Sequence, residues 1–136
     1  MSDIRIPVAT GELLDKIAIL RIKSERIADA GTLANIRREL ELLEDIWRNI
    51  DDGDARVADR VDRLEAVNER LWDIEDRIRA REAAGDFGRD FVELARSVYL
   101  NNDERAAIKR EINELTGSAL VEEKSYEEYR QPGDSP

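Results

Sequence analysis

Apolar residues recur at steps of three and four along most of the chain, and this spacing constrains the fold more than any other feature. One run without a break is Leu33, Ile36, Leu40, Leu43, Trp47 and Ile50. Such a repeat places each apolar side chain on one face of an α-helix, as in the seam of a coiled coil. Charged residues make up 40% of the sequence and aromatic residues only 5%, which fits helices with solvated outer faces better than a β-sheet. The sequence therefore predicts an all-α fold with coiled-coil-like packing.

Glycine-containing connections divide this repeat into four predicted helical segments. They are residues 11–30, residues 33–52, residues 55–84, and a segment from the turn at 85–88 to Gly117. Thr10 and Thr32 are placed to cap the first two helices. Short connections make consecutive helices antiparallel neighbours, which gives an up-down helical bundle. We expect a single domain at 1–136, made of an extended arm at 1–9, the bundle at 10–118 and an irregular tail at 119–136.

The third and fourth predicted helices are longer than the first and second, so one end of the bundle should be uncovered. At a rise of ~1.5 Å per residue the long hairpin extends about 15 Å beyond the short one. The overhang would carry Ile78, Phe87, Phe91 and Leu94. Because an uncovered apolar tip is a liability, the sequence predicts a homodimer that buries these four residues. A monomer whose arm or tail folds over the seam is the alternative.

The last helical segment has polar residues where the seam calls for apolar ones. Asn101 and Arg105 both occupy seam positions of the three-four repeat. The helix either continues with these residues in its seam, or breaks near 101–103, where Asn101 and Glu104 resemble a capping box. Periodicity leaves both alternatives open.

These polar residues also form the best candidate site in the sequence. Its members are Asn101, Asn102, Arg105, Lys109 and Asn113, which recur at near-helical spacing. A guanidinium at position 105 suits a carboxylate or phosphate held by two hydrogen bonds, with an amide from residue 101 or 102 beside it. The alternative is structural, because a seam arginine often pairs with an acid of a neighbouring helix and fixes the register of the bundle.

The absence of histidine and cysteine excludes several kinds of chemistry. Thiolate nucleophiles, Ser-His-Asp triads, zinc fingers and histidine-ligated haem all require one of these residues. The net charge of −10 argues against a nucleic-acid partner, and no apolar run is long enough for membrane insertion. The start of the sequence lacks the features of a signal peptide, so we expect a cytoplasmic protein. We predict no catalytic residues and no cofactor.

A metal site would have to be built from carboxylates alone. Glu41 and Glu44 match the first half of the magnesium motif, Glu-x-x-Glu, of all-helical nucleotide pyrophosphohydrolases. No Glu-x-x-Asp follows at a suitable distance, and the nearest substitutes are the Asp-x-x-Asp pairs at 59–62 and 73–76. These two glutamates are therefore weak metal candidates, and this enzyme is the last of the functional hypotheses.

Two blocks of the sequence resemble a family of small bacterial proteins of unknown function. The first is GELLDKI at 11–17, and the second is NDERAAIKREIN at 102–113, which continues into GSALVEEKSY at 117–126. The resemblance implies no activity, and at most a context among genes for cell-surface polysaccharides. It does imply that arm and tail belong to the domain. We therefore expect four apolar residues of these segments to lie together against the helices: Ile4, Ile6, Leu120 and Val121.

The sequence favours a non-enzymatic protein-interaction or scaffolding helical domain that self-associates. The first alternative is an accessory protein that binds a small molecule or anion around Arg105 and Lys109. The second is the magnesium-dependent nucleotide pyrophosphohydrolase discussed above.

Overall fold

Four α-helices make up most of the protein, and they confirm the predicted all-α fold. The computed structural model describes residues 3–124 and 126–129. In chain order the helices are α1 (Thr10–Arg26), α2 (Ala30–Ile50), α3 (Ala55–Ala83) and α4 (Arg89–Thr116). Within the described part of the chain no residue forms a β-strand.

Helix α1 lies at the centre of the packing and contacts each of the other three helices. Helices α3 and α4 form the closest pair, whereas α2 lies against α1, and its backbone approaches neither α3 nor α4. The largest apolar side chains that are fully buried come from α1, α3 and α4: Leu14, Ile17, Leu64, Val67, Ile108 and Ile112. Burying each such side chain contributes roughly 1.5–3 kcal/mol. This core fixes α1 against the C-terminal half of α4, where the candidate site lies.

The boundary between the first two helices differs from the prediction. Helix α1 ends at Arg26, and α2 already begins at Ala30, so that Gly31 lies inside α2 and does not terminate α1. The cap is Asp29, whose side chain accepts hydrogen bonds from the N–H of Thr32 at 2.9 Å and from its hydroxyl at 2.7 Å. An aspartate at the N-cap satisfies one of the free N–H groups of the first turn. The observed cap therefore lies three residues before Thr32, the cap that the sequence predicts.

Helix α4 is continuous through the segment where a break was the alternative. The side chain of Asn101 donates to the carbonyl oxygen of Ser97 at 2.8 Å, one turn earlier, and accepts from Nε of Arg70 on α3 at 3.0 Å. Its amide is therefore satisfied within the helix and across to α3, and it does not cap a new helix. The end at Gly117 is confirmed, with φ of 63° in the left-handed region.

The hairpin of α3 and α4 is the longer one, with helices of 29 and 28 residues against 17 and 21 in α1 and α2. At its tip Phe87 is exposed, and its ring meets that of Phe91 edge-on, with centroids 5.3 Å apart. Ile78 and Phe91 are half-buried, but Leu94 is already buried within the chain. Of the four residues expected at a dimer contact, Leu94 therefore has no exposed surface to offer.

The four apolar residues expected to hold the arm and the tail against the helices are exposed, so that prediction is wrong. Ile4 and Ile6 are 91% and 70% exposed, and Leu120 and Val121 are exposed as well. The tail contacts α4 through an ion pair between Lys124 and Asp103, and through the rings of Tyr129 and Tyr99, whose centroids lie 4.8 Å apart.

Candidate functional site

The first turn of α1 is capped by side chains from the other end of the helical region. Thr10 is the first helical residue and not the cap that the sequence predicts, since the N-cap position is Ala9, whose side chain makes no cap. The N–H of Gly11 donates to Oδ1 of Asn113 at 2.7 Å, and the N–H of Thr10 donates to Oγ of Ser118 at 3.3 Å. Free N–H groups at a helix start need such partners, and here they come from α4 and the residues after it.

Glycine is required at position 11 because α1 and α4 approach closely there. A Cβ atom on Gly11 would lie 2.6 Å from the carbonyl oxygen of Lys109 and 3.0 Å from Oδ1 of Asn113. Because a close-packed interior has no room for a contact of 2.6 Å between a Cβ atom and a backbone oxygen, the backbone of α1 or α4 would have to shift. The close approach brings the first turn of α1 directly over the polar residues of α4.

Asp15 of α1 is the most deeply buried charged residue of the site, with 1% of its surface exposed. Arg105 of α4 binds it with two nitrogens: Nε donates to Oδ1 at 3.0 Å, and Nη2 donates to Oδ2. Asn68 of α3 adds a third hydrogen bond, from Nδ2 to Oδ1 at 2.9 Å. The hydrogen bond with Asp15 raises the pKa of the Arg105 guanidinium above its ordinary value. The seam arginine thus pairs with an acid of a neighbouring helix, which is the structural alternative considered above.

Lys109 lies one turn after Arg105 and is also buried. Its Nζ donates to Oε2 of Glu12 at 2.8 Å and to Oε2 of Glu122 at 2.7 Å, and it lies 3.8 Å from Oδ2 of Asp15. Burial lowers the pKa of Lys109, but the hydrogen bonds with Glu12 and Glu122 outweigh that effect, so the pKa lies above its ordinary value. The same contact with Lys109 lowers the pKa of Glu122.

A cleft of about 580 Å³ opens between α4 and the tail, beside this cluster. Its walls include four of the five residues predicted for the site: Asn102, Arg105, Lys109 and Asn113. Asn101 does not belong to it, because its amide is bound to α3. The walls also carry tail residues of both charges, Glu122, Glu123 and Lys124. A cleft with cationic and amide donors can hold a carboxylate, and its size suits a small molecule.

Sequence reasoning found the α4 side of this cluster and missed its other side. The missed residues are Glu12 and Asp15 on α1, Asn68 on α3 and Glu122 in the tail. One signal for Asp15 was present, since Gly11, Asp15, Ala18 and Ile22 are spaced by four, three and four, and all are buried. A charged residue in a buried stripe calls for a partner on another helix.

The carboxylates proposed for a metal lie elsewhere and are not arranged around a common point. Glu44 pairs with Arg21 at 3.2 Å, and Arg21 also binds Glu65 of α3 at 3.1 Å. In residues 3–124 and 126–129 there is no group of three or more acidic side chains placed to share an ion. The structure therefore gives the hypothesis based on Glu41 and Glu44 no support. Among the same residues, none of the helices is long and apolar enough to cross a membrane.

Comparison with known proteins assigns the chain to a family. A search of the curated proteins found no match, and a search of the solved structures found none either. The model of a family of unknown function, DUF6165, matches residues 4–135, which include both sequence blocks that meet at the site. Because the match spans nearly all of the sequence, the chain belongs to DUF6165, a family of unknown function.

Proposed function

We propose that this chain is a protein-interaction domain that binds a basic amphipathic helix of a partner protein along the outer face of α2. The observation that carries the proposal is a row of exposed apolar side chains on that helix. Leu42, Ile46 and Ile50 are 49%, 45% and 58% exposed. Since they are four residues apart, they lie along one side of α2; we call them the α2 stripe.

The α2 stripe is exposed because another face of the helix makes the contact with the core. That inward face consists of Ile36, which is buried, and of Leu40, Leu43 and Trp47, which are half-buried against the core. The α2 stripe lies about a quarter turn around the helix from this face. Helices with apolar residues on two sides are expected to be covered on both, and within the described residues α1 is the one helix whose backbone comes close to α2. Anchors at i, i+4 and i+8 suit a second helix laid alongside.

The charges around the α2 stripe favour a basic partner. Glu39 is exposed beside the stripe, and it forms no ion pair with another described residue. Of the nearby cations, Arg48 is paired with Asp45, whereas Arg38, one turn before Leu42, is hydrogen-bonded to the neutral amide of Asn35. The whole chain carries a charge of −10, so a second copy would meet this face with like charge, whereas a lysine-rich helix would complement it.

A synthetic peptide tests this proposal. We expect a labelled amphipathic peptide of about 18 residues, with leucines on one face and lysines beside them, to raise its fluorescence anisotropy on binding. The triple variant L42Q/I46Q/I50Q should weaken that binding at least about thirtyfold, because losing roughly 2 kcal/mol of apolar contact changes the dissociation constant by this factor. Binding should also weaken with added salt.

Two controls make the result specific to the α2 stripe. A peptide with the same leucines but glutamates in place of the lysines should bind far more weakly. Leu100 of α4 is as exposed as Leu42, at 49%, so Leu100→Gln is the matched substitution outside the stripe and should leave binding unchanged. The proposal is wrong if L42Q/I46Q/I50Q binds like the wild type while remaining folded, or if Leu100→Gln weakens binding as much.

Self-association through the tip of the α3–α4 hairpin stays a prediction of its own. Phe87 is exposed there beside Phe91, and burying such aromatic pairs stabilises interfaces. We expect light scattering to give the mass of a dimer for the wild type and of a monomer for Phe87→Ser. A monomer mass for the wild type at high concentration would reject the dimer without affecting the proposal for α2.

A further inference from the structure

We propose that the cleft between α4 and the tail binds small dicarboxylates, and that the tail's own Glu122 and Glu123 occupy the positions of the two ligand carboxylates. This site lies on α4, so it is separate from the α2 stripe and independent of the function proposed for it. Three features of the molecule support this site: the charges around Lys109, the pairing of two neighbouring acids with two neighbouring cations, and the way the tail is attached.

The charge of the buried cluster is already balanced without the tail. Arg105 and Lys109 are the two cations, and Asp15 and Glu12 of α1 are the two anions that contact them. Glu122 is a third anion, and its Oε2 lies 2.7 Å from Nζ of Lys109. The cluster therefore does not need Glu122 for neutrality. This carboxylate sits at a position that another carboxylate can take.

The residue after Glu122 makes a parallel contact. Glu123 accepts a hydrogen bond from Nη2 of Arg110 at 3.5 Å, so two consecutive acids of the tail meet two consecutive cations of α4. A small molecule with two carboxylates can reproduce this arrangement within the cleft of about 580 Å³. The amide of Asn102 also lines the cleft and makes no hydrogen bond with a described residue, so it is available to a ligand.

The tail is attached in a way that allows displacement. Residues 118–124 form neither helix nor strand. The ion pair between Glu123 and Arg110 is exposed on both sides, and such pairs contribute little to stability. Glu122 is itself exposed, although its partner Lys109 is buried. A ligand at millimolar concentration can therefore compete with the two glutamates, while Lys109 stays held by Glu12.

A titration with glutarate at constant ionic strength, monitored by NMR of the backbone amides, tests the site. We expect glutarate to shift amides in 105–113 and 118–124 of the wild type. The variant E122Q/E123Q should bind glutarate about three- to tenfold more tightly, because removing an internal competitor raises the fraction of competent sites. Arg110→Gln, which changes an exposed side chain, should weaken binding about threefold or more. Butyrate and glutaramide serve as monocarboxylate and neutral controls and should bind much less.

Glu127→Gln is the matched control in the tail, since Glu127 is exposed and does not line the cleft. It should leave the affinity for glutarate as in the wild type. The proposal is overturned if neither the wild type nor E122Q/E123Q responds to glutarate at tens of millimolar. It is equally overturned if butyrate produces the same shifts, or if Glu127→Gln tightens binding as much as E122Q/E123Q.

Discussion

Replacing Asp15 by alanine is expected to lower the free energy of unfolding by about 3–5 kcal/mol. The substitution removes a carboxylate that is 1% exposed and that accepts hydrogen bonds from Arg105 and Asn68. The guanidinium and the amide would then lack their partner, and Lys109 would lose a nearby charge at 3.8 Å. Urea denaturation monitored by circular dichroism measures the change in the free energy of unfolding.

Two comparisons identify the cause of this effect. Asp73 pairs with Arg26 at the surface, so Asp73→Ala removes an ion pair without leaving a buried charge and should cost less than about 1 kcal/mol. The double variant D15L/R105M replaces the pair by apolar side chains and should recover part of the loss. A cost for Asp15→Ala as small as that for Asp73→Ala would show that the buried pair does not stabilise the fold.

Gly11→Ala is expected to destabilise the protein by about 1–3 kcal/mol or more, as overpacked sites do. The added Cβ would lie 2.6 Å from the carbonyl oxygen of Lys109, a backbone atom that cannot move away without shifting α4. Thermal unfolding by calorimetry or circular dichroism should show a clear fall in Tm. A displacement of α4 away from the new Cβ would also disturb the hydrogen bond between Gly11 and Asn113.

The second helix contains the matched control for this substitution. Gly31 is the second residue of α2, as Gly11 is of α1, but a Cβ there would meet its nearest atom, Oδ2 of Asp29, at 3.6 Å. Gly31→Ala should therefore be neutral or stabilise by up to about 1 kcal/mol, because alanine favours the helix. Equal effects of the two substitutions would contradict the importance of the close approach between α1 and α4.

The three-four spacing was sufficient to predict the all-α fold, and Gly117 to predict the end of α4, but local signals could not place the start of α2. Asp29 and Thr32 are both good N-cap residues, and nothing in their neighbourhood ranks one above the other. The continuity of α4 was undecidable for a related reason. What keeps Asn101 helical is its bond to Arg70, a residue on another helix.

Half of the candidate site was predictable, because a polar residue in an apolar seam can be recognised within one helix. The other half depends on which turn of α1 faces which turn of α4. A repeat of three and four residues is compatible with several such registers, so periodicity alone could not pair Arg105 with Asp15. The tail's Glu122 was still harder to foresee, since an acidic residue in a charged segment has no periodicity at all.

The hydrogen bonds that cap α1 affect the order in which the fold forms during synthesis. Gly11 and its acceptor Asn113 are 102 positions apart, and Thr10 and Ser118 are 108 apart. Contacts at such separation form late, because a long loop must close before they are gained. During synthesis α1 leaves the ribosome well before the groups that cap its first turn. The first turn of α1 must therefore remain without these caps, and Asp15 without Arg105, until α4 and the residues after it have been translated.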